Sequence, residues 1–170
     1  MKKSITITDF SKMPGGICVY GYDDEHKPIR PVAFQENEKP RGLPIEFISN
    51  LKPLSRVEFD FIRPVNSVAP HTEDWYVNEN YKPVLISPLS DEEKIKLLDG
   101  NCYKKMCSDC WGAEVKFHID GRGKNISYIA PGNGFRSIAT ISPDKINFIE
   151  CSPNEYRGGA LNYKIRFAGI

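Results

Sequence analysis

Val57-Glu58-Phe59-Asp60-Phe61-Ile62-Arg63-Pro64 alternates apolar and acidic side chains before Arg63-Pro64 ends the run. A period of two puts Val57, Phe59 and Phe61 on one face and Glu58 and Asp60 on the other. The stretch from Leu54 to Ile62 therefore reads as a half-buried β-strand. Upstream, Ser4-Ile5-Thr6-Ile7-Thr8 alternates in the same way, and Asp9 to Gly16 carries turn residues. Ile17 to Tyr22 reads as a second strand, Asp23 to Lys27 as a hairpin tip, and Pro28-Ile29-Arg30-Pro31-Val32 as an edge-like return strand. The two prolines around Arg30 place that residue at a sheet rim, facing outward. Phe34 to Gly42 reads as a loop, and Leu43 to Ile48 as one helical turn with proline near its start.

Downstream, Tyr81 to Ile86 is a short strand candidate. Ser90-Asp91-Glu92-Glu93 is a capping box, with Ser90 as N-cap and Glu93 three residues on. That helix is expected to reach Asp99, with Ile95 and Leu98 inward and Gly100 as its stop signal. The remainder reads as short strands: Ala113 to Ile119, Ile126 to Ile129, Phe135 to Ile141, Lys145 to Cys151 and Leu161 to Phe167. Short strands at this spacing point to small barrels rather than a βαβ fold. The expected architecture is mainly β: two small OB-like barrels in tandem with one short connecting helix. Residues 1–88 form the first unit, and residues 89–170 form the helix and the second.

The chain has 170 residues, 40% of them hydrophobic and 26% charged, enough for a core without disulfides. Its formal net charge of +1 gives no global attraction for nucleic acid. The first hundred residues are net acidic and the rest net basic, which permits a phosphate-facing surface in the second half. No apolar run approaches the roughly 18 residues of a membrane helix. Met1-Lys2-Lys3 leads directly into alternating residues, and the five cysteines are an odd number, so reduced thiols in a cytoplasm are expected.

Thr6-Ile7-Thr8-Asp9-Phe10-Ser11-Lys12-Met13, Gly16-Ile17-Cys18-Val19 and Ile29-Arg30-Pro31-Val32 together resemble the start of the dual OB-fold domain family of prokaryotic proteins. The strand from Val57 to Ile62, followed by Pro70-His71-Thr72-Glu73-Asp74-Trp75, resembles the same family's next landmark. The resemblance implies two tandem OB-like barrels and, by analogy of fold, binding of nucleic acid or another oligomeric ligand.

Three readings of Pro70 to Trp75 stand side by side. In the first it is a loop whose Thr72 or Asp74 caps a turn while Trp75 plugs the barrel end. In the second it is a ligand site. Trp75 then stacks on a base, His71 and Thr72 bond a base edge or sugar hydroxyl, and Arg30 pairs with a phosphate. Glu73 and Asp74 would accept from base amino groups or orient Arg30 or His71. In the third, His71 with Glu73 or Asp74 forms a metal-dependent or His/carboxylate enzyme acting on nucleic acid or nucleotides. Strand alternation separates adjacent side chains and no nucleophile is evident, so the second reading is preferred over the third.

The expected function is non-catalytic recognition of nucleic acid or a nucleotide-like ligand, with no membrane partner and no resident cofactor. A protein-interaction module of a larger assembly is the remaining alternative. Cys102, Cys107 and Cys110 offer a zinc alternative, with Cys151, Cys18 or His118 as fourth ligand. Their spacing also equals a ferredoxin-type run, but bulky residues fill the loop that would wrap a cluster. Gly121-Arg122-Gly123-Lys124 reads as a basic hairpin. Tyr128, Phe135, Arg136 and Arg166 are further stacking or phosphate candidates.

Overall fold

The structure, a computed structural model, describes residues 1–13, 15–34, 40–66, 68–103, 108–121, 123, 125–136, 138, 140–141, 145–154 and 160–168. The first half forms strands β1 (Lys2–Met13), β2 (Gly16–Asp23), β3 (Pro28–Val32), β4 (Ser55–Pro64), β5 (Asp74–Val77) and β6 (Val84–Pro88), with the single-turn helix α1 (Ile45–Ile48) between β3 and β4. The pairings run β1-β2-β3-β5-β4, and β4 returns to β1, so five strands close into a barrel. All contacts in it are antiparallel except β3 with β5, where Arg30, Pro31 and Val32 lie opposite Asp74, Trp75 and Tyr76. β6 extends the sheet beside β4, below the part that β5 covers.

The alternating run that opened the sequence reading supplies the barrel's centre. Val57, Phe59 and Phe61 are fully buried, and they meet Ile5 and Ile7 of β1, Val19 of β2, Ile29 of β3 and Val77 of β5. Phe47 and Ile48 of α1 join this cluster as a plug. Burying such side chains is worth roughly 1.5–3 kcal/mol each and offsets the entropy of closing a non-local barrel. β1 is longer than its alternating part suggests. It continues through residues read as turn chemistry up to Met13, with a bulge between Ile7 and Asp9. Gly15, ahead of β2, has φ of 85°, open to glycine without strain.

Helix α2 (Asp91–Asn101) begins with the expected capping box: Glu93 N–H donates to Ser90 Oγ, and the Ser90 amide donates to the Glu93 carboxylate. It runs through Gly100 rather than stopping there. Leu97 is its buried side chain, whereas Ile95 is 61% exposed. Leu97 packs on Tyr20 and Tyr22, which project from the outer face of β2, with Leu54, Leu89 and Ile138 around them. A helix docked through one residue carries little amphipathic pattern, so its inward face was not legible from spacing.

The second half contains β7 (Cys102–Tyr103), the single turn α3 (Ser108–Trp111), β8 (Lys116–Ile119), β9 (Asn125–Tyr128), β10 (Thr140–Ile141), β11 (Lys145–Asn154) and β12 (Ala160–Ala168). Among the described residues these form three two-stranded sheets: β8 with β9, β11 with β12, and a parallel β7 with β10. The strand expected from Phe135 shrinks to β10. Residues 35–39, 142–144 and 155–159, on which parts of the expected loop and turns fall, and Cys107, Arg122 and Lys124 lie outside the described residues.

Candidate functional site

The loop joining β4 to β5, residues 65–73, is held at both ends. Val65 N–H donates to Asp74 O at 2.9 Å, and Arg30 N–H donates to Glu73 O at 2.8 Å. Its middle is tied to the second half, with Gly132 N–H donating to Ala69 O at 2.9 Å and Thr72 Oγ1 donating to Phe135 O at 2.6 Å. Four anchors on so short a segment fix which way each side chain projects.

The parallel register of β3 and β5 decides Arg30. Because Arg30 and Asp74 are partners across the pairing, their side chains share a face. The guanidinium grips the carboxylate twice, Nε to Oδ1 at 2.5 Å and Nη2 to Oδ2 at 2.8 Å. Nη2 also lies 2.9 Å from His71 Nδ1. Arg30 is therefore not an outward rim residue. Its side chain is 15% exposed, and Asp74 is 1% exposed. The prolines suggested an edge, but β3 pairs with β2 through residues 28–29 and with β5 through residues 30–32. Burial works against the Arg30 charge, yet the hydrogen bonds and charge of Asp74 outweigh it and hold the guanidinium above its ordinary pKa. Beside it, burial pushes the Cys18 thiol up, against the pull of Arg30.

The loop also separates two cavities. His71, with Val68 and Pro70, borders one of about 570 Å³, whose opposite wall includes Trp111, Phe117 and Tyr128. Thr72, Glu73 and Trp75 border another of about 410 Å³, shared with Lys3, Lys27 and Arg136. Arg30 lines neither and stands behind His71. The loop thus changes sides between His71 and Thr72. Glu73 is 2% exposed, so neither carboxylate is a surface acceptor. Trp75 is half-buried, edge-on to Phe61 at 5.9 Å between ring centres, with Lys3 Nζ 6.0 Å from its own ring centre. Much of its stacking surface is already used.

The model of the dual OB-containing domain matches residues 3–169. The chain belongs to the dual OB-containing family. Comparison with the curated proteins and with the solved structures gives no match. In OB barrels generally, oligomers lie on the face of the second and third strands and against the first and fourth connecting loops. In this dual OB-containing chain the outer face of β2 is covered. Tyr20 and Tyr22 pack under Leu97, and the Tyr20 hydroxyl donates to Ile138 O at 3.2 Å. In the β4–β5 loop, by contrast, His71 and Thr72 are exposed.

The sequence singled out His71, Thr72, Glu73, Asp74, Trp75 and Arg30; Arg30, Asp74 and His71 are bonded to one another, whereas Thr72 bonds Phe135 and Trp75 packs on Phe61. It did not single out Trp111 or Phe117. Trp111 stood inside the cysteine run and was overshadowed by it. Phe117 lay inside the strand read from Ala113 to Ile119, and it is 74% exposed on β8. His118 is exposed on β8 and sits edge-on to Tyr128 at 5.5 Å. Cys102 is partly buried and Cys110 fully buried, and no cluster of three metal-ligating side chains occurs among the described residues. No helix among the described residues is long and apolar enough to cross a membrane.

Proposed function

We propose that this protein is a non-catalytic module that recognises nucleic acid or a nucleotide-like ligand. The supporting observation is the β4–β5 loop of a closed OB barrel, which presents His71 to a cavity walled by three aromatic side chains. Base–aromatic stacking contributes about 1–3 kcal/mol per base and tolerates any sequence. The units 1–88 and 89–170 would supply the two walls, the first through the loop and the second through Trp111, Phe117 and Tyr128. Lys27 and Arg136, beside the neighbouring cavity, are suited to meet phosphates leading away from a stacked base. Arg30 acts from behind His71 rather than on a phosphate. A cytoplasmic setting, with free access to nucleic acid, belongs to the same reading.

Polarisation titrations with single-stranded RNA and DNA, repeated across salt concentrations, test it. Affinity is expected to fall linearly on logarithmic axes as salt rises, because phosphate contacts release counterions. Absence of binding by every oligonucleotide at low salt would overturn the proposal.

A further inference from the structure

Among the described residues, the larger cavity is lined by no lysine, arginine, aspartate or glutamate. No described cation stands there to replace the hydration that a phosphate inside it would lose, which is heavily unfavourable. The polar side-chain groups there are the imidazole of His71, the indole of Trp111 and the phenol of Tyr128. An indole N–H only donates, and a phenol both donates and accepts.

His71 is decided by its neighbour. A guanidinium carries five N–H groups and no acceptor, so in the 2.9 Å contact Arg30 Nη2 donates and His71 Nδ1 accepts. An imidazole that accepts through Nδ1 carries its proton on Nε2, across the ring. Asp74 holds the guanidinium through Nε and Nη2, which fixes the direction from which Arg30 addresses His71. The cavity therefore combines aromatic faces with a set of side-chain groups dominated by donors.

We propose that the cavity takes a nucleobase with the oxygen at ring position 4 turned toward His71, so that His71 selects 4-oxo pyrimidines such as uracil over 4-amino pyrimidines such as cytosine. Arg30 is the positioning residue that sets the His71 tautomer. The inference rests on the nucleic-acid reading above and adds the base class to it. Uracil and cytosine differ at ring position 4, a carbonyl in one and an amino group in the other, and a fixed N–H donor suits only the first. The base enters as a neutral plane beside Trp111, Phe117 and Tyr128, and its phosphates stay outside.

The test titrates the full chain with oligo(U) and oligo(C) of equal length at one low salt concentration. Oligo(U) is expected to bind about fivefold more tightly, the net worth of one hydrogen bond. His71→Phe, which keeps an aromatic face and removes the donor, is expected to bind the two equally. Equal affinities in the unsubstituted chain overturn this inference and leave nucleic-acid binding standing. Failure of both oligomers to bind overturns both. Two-bond proton–nitrogen spectra of histidine-labelled protein read the tautomer without any ligand. The Nε2–H form is expected in the unsubstituted chain, and averaging of two forms in the double variant Arg30→Met with Asp74→Leu. A protonated Nδ1, or averaging in the unsubstituted chain, overturns the role given to Arg30.

Discussion

Arg30 and Asp74 stand 44 positions apart in the chain and meet because β3 and β5 run parallel. Each pays a desolvation penalty that the other opposes, and burial still holds the Asp74 carboxyl above its ordinary pKa, so removing one partner strands a charge in the barrel wall. Asp74→Ala is expected to lower unfolding stability by about 3–5 kcal/mol, measured by urea denaturation. The double variant Arg30→Met with Asp74→Leu is expected to recover most of that loss, because it removes both charges and keeps apolar volume. If the double variant were as unstable as the single one, geometry and not charge would be holding the loop. The sequence named both residues but could not pair them. Strand alternation gives faces within a strand, whereas this contact depends on which strand lies beside which.

Among the elements, the β2–β3 hairpin depends on one carboxylate. Asp23 Oδ1 accepts from the amides of Glu25 and Lys27 at 2.9 and 2.8 Å, and Oδ2 accepts from Lys3 Nζ at 2.6 Å. Burial pushes its pKa up, but these bonds outweigh burial and hold it below the ordinary carboxylate value of 3.8. A depressed folded-state pKa means the stabilisation is present above the unfolded value and is lost as pH falls through the folded one. Stability is therefore expected to drop below about pH 4, and Asp23→Asn to show a shallower drop, both followed by circular dichroism. Gly21 marks a second tight place. A Cβ there would lie 2.1 Å from the Thr6 carbonyl oxygen, inside the β1–β2 ladder. Gly21→Ala is expected to force these strands apart and cost at least about 1–3 kcal/mol, read from the urea midpoint. These elements were largely legible: β4 from its alternation, β2 and β3 from the turn between them, and α2 from its capping box. Their ends were not, because β1 extends by pairing with β2 where local turn propensity pointed otherwise.

For the whole molecule, the first half was readable and the second was readable only as strands. A closed barrel leaves a strong trace, since one face of each strand must be apolar. β8 and β9 leave a weaker one: Phe117, Ile119 and Tyr128 are exposed, so alternation there does not separate core from surface. The candidate site inherits this division. Pro70 and His71 of its loop wall and Tyr128 of its aromatic wall were visible, while Trp111 and Phe117 were hidden in a cysteine run and among exposed apolar positions. The analogy to OB barrels supplied the likeness of fold, but the covering of β2 by Leu97 moves attention from the strand face to the loop.

The antiparallel seam between β1 and β4, in which Lys2 to Ile7 lie opposite Asp60 to Ser55, also has a temporal side. During synthesis, at roughly 5–20 residues per second, β1 emerges first and β2 can cover one of its edges almost at once. The other edge waits several seconds on that scale, until the ribosome has released β4. Through that interval the row of unpaired amides and carbonyls from Lys2 to Ile7 is a template for pairing with another chain. A nascent chain halted before residue 55 would keep that template open, so the seam that completes the barrel also sets the moment at which the protein ceases to be vulnerable to its own copies.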